Sequence, residues 1–236
     1  MDTLLTSALL IVAVLLALYL CLILLPQVYR LYQVWCWRKH SDKIAITYDD
    51  GPDNVTSIEL MNLLDELDVK ATFYLVGFRA ERAPDVVKQL AERGHELGTH
   101  SYSHWHAWKI MPWRDYADAE RAYGVLAPHV SPTAPYRPPF GKISLVTLIG
   151  MWLKKRRVDW WTSPTNDTDD EFPDVQKAAA ELVDKRQPVI LMHSHHDEPH
   201  RREFMLDMTR AIVNQARAKG LKIVTMENLT NKPVGA

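Results

Sequence analysis

Hydrophobic and polar positions divide the chain into two unequal parts. Residues 4–25 form a run of 22 positions without a charge, dominated by Leu, Val, Ala and Ile. About 20 such residues as a helix cross the hydrocarbon core of a bilayer, so the run predicts one transmembrane pass. A cleaved signal peptide would open on basic residues and end a shorter apolar core at a small-residue cleavage site, whereas Asp2 is the only charge before this run. Past residue 42 the period changes. Short β-branched and aromatic runs predict strands over 43–48, 71–76, 95–100, 157–162, 188–193 and 221–226. Between them apolar residues recur at helical spacing, as at Ile58, Met61, Leu64 and Leu67, and at Val86, Val87, Leu90 and Ala91. Further helices are expected over 113–126, 143–153, 174–186 and 202–218, with Pro84, Gly94 and Gly220 at helix starts and stops. Strands alternating with helices imply an α/β domain on a parallel sheet, closed or open. The expected organisation is an anchor over 1–26, a juxtamembrane segment over 27–42 and one domain over 43–236.

Composition sharpens this picture in three places. The hydrophobic share of 47% exceeds what a water-soluble domain needs, and the excess lies in the N-terminal run. Lys and Arg (28) balance Asp and Glu (29), so no bulk charge argues for nucleic acid as a partner. The only cysteines, Cys21 and Cys36, precede the domain, which excludes a disulfide framework and a cysteine-based metal site there. Arg30, Arg38, Lys39 and Lys43 follow the run and no Lys or Arg precedes it. The positive-inside rule then places the domain on the cytoplasmic side of a bacterial inner membrane. Aromatic residues interleaved with Arg between Tyr29 and Arg38 fit an interfacial segment, or equally a segment packed on the domain.

Polar residues with chemical potential gather at the predicted C-terminal ends of strands, where a parallel α/β barrel builds its site. Asp49 and Asp50 leave the first strand into Gly51-Pro52-Asp53. One carboxylate can hold a cation and the other act as a base, although the same five residues also read as an ordinary turn. His100 and His104, four apart, would share one face of a helical turn and ligate one cation. With Asp50 they make a two-histidine, one-carboxylate set that leaves positions open for water and substrate. His95 and His106 show that the stretch is also simply His-rich. Arg137-Pro138-Pro139-Phe140-Gly141 is a rigid loop presenting a guanidinium and a backbone N–H. His193 ends an apolar strand at the same rim and suits a general acid, with His195 and His196 as competitors.

In order and spacing, residues 47–53, 100–104, 137–141 and 191–193 resemble four motifs of the polysaccharide deacetylases, the family 4 carbohydrate esterases. The resemblance covers residues 43–229 and implies a distorted (β/α) barrel with fewer strands than a complete one. It implies Asp49 as the base that activates the attacking water, and Asp50, His100 and His104 as ligands of one divalent ion, zinc or similar. Arg137 resembles the residue that orients the base, Leu191 the apolar wall of the acetyl pocket, and His193 the acid that protonates the departing amine. Phe140 stands where the family usually has Tyr, and its main-chain N–H would serve the oxyanion. The family's His-orienting acid resembles Asp167 by its distance from Trp161, but Thr168 replaces the usual Trp, and Asp159 is a second candidate.

The activity implied is removal of an acetyl group from an N-acylated amino sugar. A deformylase of similar design is the close rival, and a sugar-binding pseudoenzyme would be expected to have lost one of these groups. Chitin and peptidoglycan are the family's usual substrates. A domain on the cytoplasmic face of a membrane would instead meet a lipid-linked sugar.

Overall fold

The computed structural model describes residues 2–39 and 42–230. Helix α1 (Asp2–Trp37) is followed by β1 (Lys43–Asp49), α2 (Thr56–Glu66), β2 (Thr72–Leu75), α3 (Gly77–Arg82), α4 (Pro84–Glu92) and β3 (Glu96–Thr99). Then come α5 (Pro112–Leu126), α6 (Leu145–Leu153), β4 (Ser163–Pro164), α7 (Val175–Asp184), β5 (Val189–His193), α8 (Pro199–Ala218), β6 (Lys222–Val224) and α9 (Met226–Thr230).

All pairings among the named strands are parallel, in the order β3-β2-β1-β5-β4, with β6 against the start of β1. Two single-residue bridges, Thr99 to Tyr136 and Tyr136 to Val158, carry the ladder from β3 round towards β4. The result is a parallel α/β barrel whose far wall is reduced to bridges, the distorted form expected. Ile44, Ile46 and Tyr48 of β1 point outward into one core with Leu60, Leu64, Met208 and Ile212 of the surrounding helices. Their neighbours Thr47 and Asp49 point inward, because successive strand residues face opposite sides.

The strand expected over 157–162 is where sequence and structure differ. Val158 makes only the bridge to Tyr136, Trp160 is completely buried, and the regular ladder starts later, at Ser163. Gly94 and Gly220 do follow α4 and α8 with φ of 78° and 68°, the left-handed conformation glycine adopts at helix ends without strain.

Helix α1 continues well past the apolar run. Its last turns lie on the domain, with the Tyr29 ring 5.1 Å from Trp152 and 5.9 Å from Trp160, both edge-on. Arg30 sits 5.5 Å over Trp161, and Trp37 is buried in the second core with Ile143, Leu148 and Met151. Of the two readings of the juxtamembrane aromatics, these side chains fit packing on the domain.

Candidate active site

Asp49 is the last residue of β1, and Asp50 turns out of the strand with φ of 67°. Asp tolerates this left-handed region better than most residues. The turn re-aims Asp50, so two adjacent carboxylates both approach His100 Nε2, at 3.7 and 3.5 Å, despite the alternation of the strand. Gly51 follows because a side chain there would collide with Ser194.

His100 and His104 come together by a different route from the one expected. Residues 100–104 are not helical; Ser101 and His104 adopt φ of 60° and 56°. The loop is pinned by Asp118 of α5, whose Oδ2 accepts from the Tyr102 and Ser103 amides at 3.1 and 2.9 Å. The two imidazole centroids then lie 5.0 Å apart. Asp118 was not legible in the sequence, since nothing local links an acid on one element to a loop 15 residues earlier.

The three residues fit a divalent cation. Candidate ligand atoms of Asp50, His100 and His104 all lie within 4.8 Å of one another. Asp50 Oδ1 is 3.1 Å from His104 Nε2 and 3.5 Å from His100 Nε2, yet it is buried without a hydrogen bond. Electron-pair donors aimed at a common point, with a carboxylate oxygen left over, suit an ion and not a proton-mediated contact. His100 Nδ1 lies 2.7 Å from the Arg137 carbonyl. A carbonyl only accepts, so Nδ1 carries the proton and Nε2 keeps its lone pair for the ion. Burial pushes His100 below its ordinary pKa, against the pull of Asp49, which also favours the neutral ligand.

Arg137 is completely buried beside this cluster. Its Nη1 donates to Asp49 Oδ1 at 2.9 Å and to the Thr47 hydroxyl at 2.7 Å, and its Nη2 donates to the Trp160 carbonyl at 2.9 Å. The guanidinium also lies 4.0 Å from the Tyr74 ring centroid. Asp49 thus faces a fixed positive charge in a site shielded from water, where Coulombic effects are strong.

His193 ends β5 in direct register with Asp49 on β1. Register partners on adjacent strands share a face about 4.8 Å apart, so acid and base candidates stand side by side. Asp167 Oδ1 is 3.0 Å from His193 Nδ1, and Oδ2 accepts from the His193 amide at 2.7 Å and lies 3.3 Å from His196 Nε2. Burial alone would lower the pKa of His193, but the hydrogen bond and charge of Asp167 outweigh it and raise it to about 9. Asp167 is held below the usual carboxylate range: burial opposes ionisation, and the His193 hydrogen bond overcomes it.

Asp159, the second candidate for orienting His193, lies elsewhere. It is fully buried inside the barrel, paired with Arg157 Nε at 2.8 Å and accepting from the Tyr74 hydroxyl at 2.6 Å. The competing histidines are likewise accounted for. His195 bridges Arg79 and Asp53, and His196 is buried against Asp167. His95 sits at the opposite end of β3, buried, with its pKa lowered to about 4 by loss of hydration. Leu191 is buried on β5, two residues before His193. Phe140 adopts φ of 56°, is half exposed, and packs 4.7 Å from the His104 ring and 5.3 Å from that of His106.

A parallel barrel with a two-histidine, one-carboxylate cluster and an Arg-held carboxylate at its C-terminal rim defines a recognisable class. A family model described as polysaccharide deacetylase matches residues 38–151. A peptidoglycan-N-acetylglucosamine deacetylase of Bacillus cereus is 27% identical over 189 residues, covering 79% of this chain and 68% of its own length. A second from the same species is 33% identical over 172 residues, covering 66% of this chain and 61% of its own. A third is 41% identical over 76 residues, and the chain spans only 36% of that relative's length. Among solved structures, a peptidoglycan N-acetylglucosamine deacetylase bound to a naphthyl N-hydroxybenzamide superposes with a TM-score of 0.73 at 27% identity, over 80% of this chain and 88% of its own. A family 4 carbohydrate esterase from Streptomyces lividans shares the fold, with a TM-score of 0.67 at 22% identity over 77% of this chain and 91% of its own. The chain is thus similar, in sequence and in fold, to the polysaccharide deacetylases, the family 4 carbohydrate esterases.

Proposed function

We propose that the chain is a metal-dependent hydrolase that removes the N-acetyl group of an amino sugar. The observation that carries this reading is the convergence of Asp50, His100 and His104 beside the Asp49–Arg137 pair, with His193 next to Asp49 on the adjacent strand. Two imidazoles and one carboxylate suit zinc with positions left for water and substrate. Bound there, a divalent ion supplies a Lewis acid and brings a water's pKa towards neutrality.

The side chains then divide the work. Asp49 takes the proton of the attacking water, and Arg137, donating to Asp49 Oδ1, fixes that carboxylate in direction. The Phe140 N–H donates to the developing oxyanion; because the group is main-chain, Phe in place of Tyr leaves the role intact. Leu191 walls the acyl pocket. His193, protonated at neutral pH and oriented by Asp167, gives its proton to the departing nitrogen, which cannot leave as an amide anion.

For the substrate, we take α1 as a single membrane pass with the domain on the cytoplasmic side of a bacterial inner membrane, and the amino sugar as lipid-linked. The basic residues after the apolar run support this orientation. A wall polymer is the second reading, favoured by the names of the Bacillus cereus relatives. Assay of metal-loaded full chain on N-acetyl and N-formyl amino sugars, with and without a polyprenyl-phosphate tail, tests the reaction and the substrate class. A C-terminal reporter active on only one side of the membrane tests the orientation. Preference for formyl compounds would replace the deacetylase reading by a deformylase. Reporter activity only in the periplasm would favour the wall polymer.

A further inference from the structure

Helix α1 and the segment that follows the His104 loop enclose a crevice of about 520 Å³. One wall is Tyr19, Leu22 and Ile23 of α1; the other includes Trp108, Lys109 and Arg114. Its size falls in the range of roughly 300–1,000 Å³ typical of small-molecule sites. Three observations say what it takes.

The first is depth. At 1.5 Å of rise per residue, Ile23 and Tyr19 lie about 3 and 9 Å inward of Leu25, the end of the apolar run. With α1 spanning the membrane, this wall lies below the bilayer surface. A hydrated polymer does not enter there, whereas a hydrocarbon chain already resides there.

The second is charge. Lys109 and Arg114 line the crevice, and Lys142 Nζ is 4.4 Å above the Trp108 ring. None of the three makes an ion pair among the described residues. An apolar slot edged by cations matches an amphiphile with an anionic linkage, such as a phosphate, next to its tail.

The third is continuity with the rim. His104, Phe140, His106 and Trp108 form an aromatic path with successive centroid separations of 4.7, 5.3 and 5.9 Å. The path leads from a candidate metal ligand to the crevice wall. The His106–Phe140 step is stacked at 26°, and Phe140 is 53% exposed, so aromatic surface is open to a sugar ring beside the candidate metal ligand.

We propose that this crevice binds the hydrocarbon tail of a lipid-linked amino sugar, that Lys109, Lys142 and Arg114 take its anionic linkage, and that the His106–Phe140 face carries the sugar to Asp49 and Asp50. This rests on the deacetylase reading and on α1 spanning the membrane, and deepens both. The test uses the full chain in lipid nanodiscs. The probe is an N-acetylglucosaminyl phosphate with a polyprenyl tail, carrying a diazirine in the isoprene unit nearest the phosphate. Crosslinks are expected in peptides holding residues 19–23 and 107–114, and they fall at least fivefold with excess unlabelled tailed compound. They also weaken in the Lys109→Glu, Arg114→Glu double variant. Crosslinks spread along residues 4–18, or indifferent to competition, would overturn the proposal. In a paired assay, Ile23→Trp lowers the kcat/KM ratio of tailed over methyl-glycoside substrate about tenfold; an unchanged ratio counts against the crevice. Specific crosslinking without hydrolysis of either substrate would sink the deacetylase reading and leave the crevice standing.

Discussion

Arg137 and Asp49 form an ion pair out of contact with solvent, 2.9 Å apart, with Arg137 fully buried and Asp49 nearly so. Removing one partner of such a pair leaves an uncompensated buried charge, which costs roughly 3–5 kcal/mol. Arg137→Met is therefore expected to lower thermal stability clearly as well as abolish turnover, read by circular dichroism and by deacetylation. His193 and Asp167 make a pH prediction. In the fold His193 stays charged up to about pH 9, against an ordinary value of 6.5. Its pairing therefore stabilises the protein fully below pH 6.5, and that contribution is lost as pH rises through 9. Asp167, held below its ordinary value, contributes in the opposite sense, present above about pH 4 and lost on acidification. If His193 is the acid, activity falls on the alkaline side near pH 9. In Asp167→Asn the alkaline limb of the kcat/KM profile moves to lower pH, because the raising partner is gone. An unmoved limb would exclude His193 as the titrating acid.

Elements decide where those side chains stand. The β1–β5 ladder sets Asp49 against His193, so the acid and base candidates depend on register and not on loop flexibility. Helix α6 is held at its start by Asp115 of α5, whose Oδ2 accepts from the Ser144 amide at 3.1 Å and from the Thr147 hydroxyl. Burial raises the pKa of Asp115, and these donors work against that rise. Asp115→Ala leaves the buried Ser144 amide without its partner, while the Ser144 cap on Thr147 remains, and is expected to cost about 1–3 kcal/mol, measured by thermal unfolding. Since α6 and the last turns of α1 pack together, the same variant should speed hydrogen exchange in both helices. The sequence placed α5, α6, α7 and α8 to within a few residues from apolar periodicity, which is local. It misplaced the strand near 157–162 because a strand is defined by its partner. Val158 and Ser163 find different ones, Tyr136 and Ile190, and the bridge to Tyr136 spans only one residue.

For the molecule as a whole, α1 joins the apolar run and the barrel as one continuous helix. A chain starting at residue 26 keeps Tyr29, Val34 and Trp37 in place and is expected to stay folded without detergent. A chain starting at residue 43 strips the cover from Trp160 and empties the site of Trp37. Loss of one large buried aromatic costs about 3–5 kcal/mol, so its Tm should fall by roughly 6–20 °C relative to the longer form. Equal stability of the two truncations would mean that the last turns of α1 contribute nothing to the fold. Metal content should follow the rim and not the helix: His104→Ala is expected to lose bound divalent metal while its melting in chelator matches that of the parent. Full occupancy in that variant would remove His104 from the ligand set.

The sequence by itself determined the apolar run, the alternation of strands and helices, and the residue types at the strand ends. Hydrophobic period and short motifs are properties of neighbouring residues. It named Asp49, Asp50, His100, His104, Arg137 and His193 as candidates, but explained the histidine pair by helical spacing. In the fold a left-handed loop held by Asp118 brings the two together. It left Asp159 and Asp167 open, because both lie near Trp161 along the chain. Which acid meets His193 depends on the β4–β5 pairing and on burial of Asp159 with Arg157 inside the barrel. The cation-edged crevice at α1 had no sequence signal at all, since its two walls lie more than 80 residues apart and only packing brings them together.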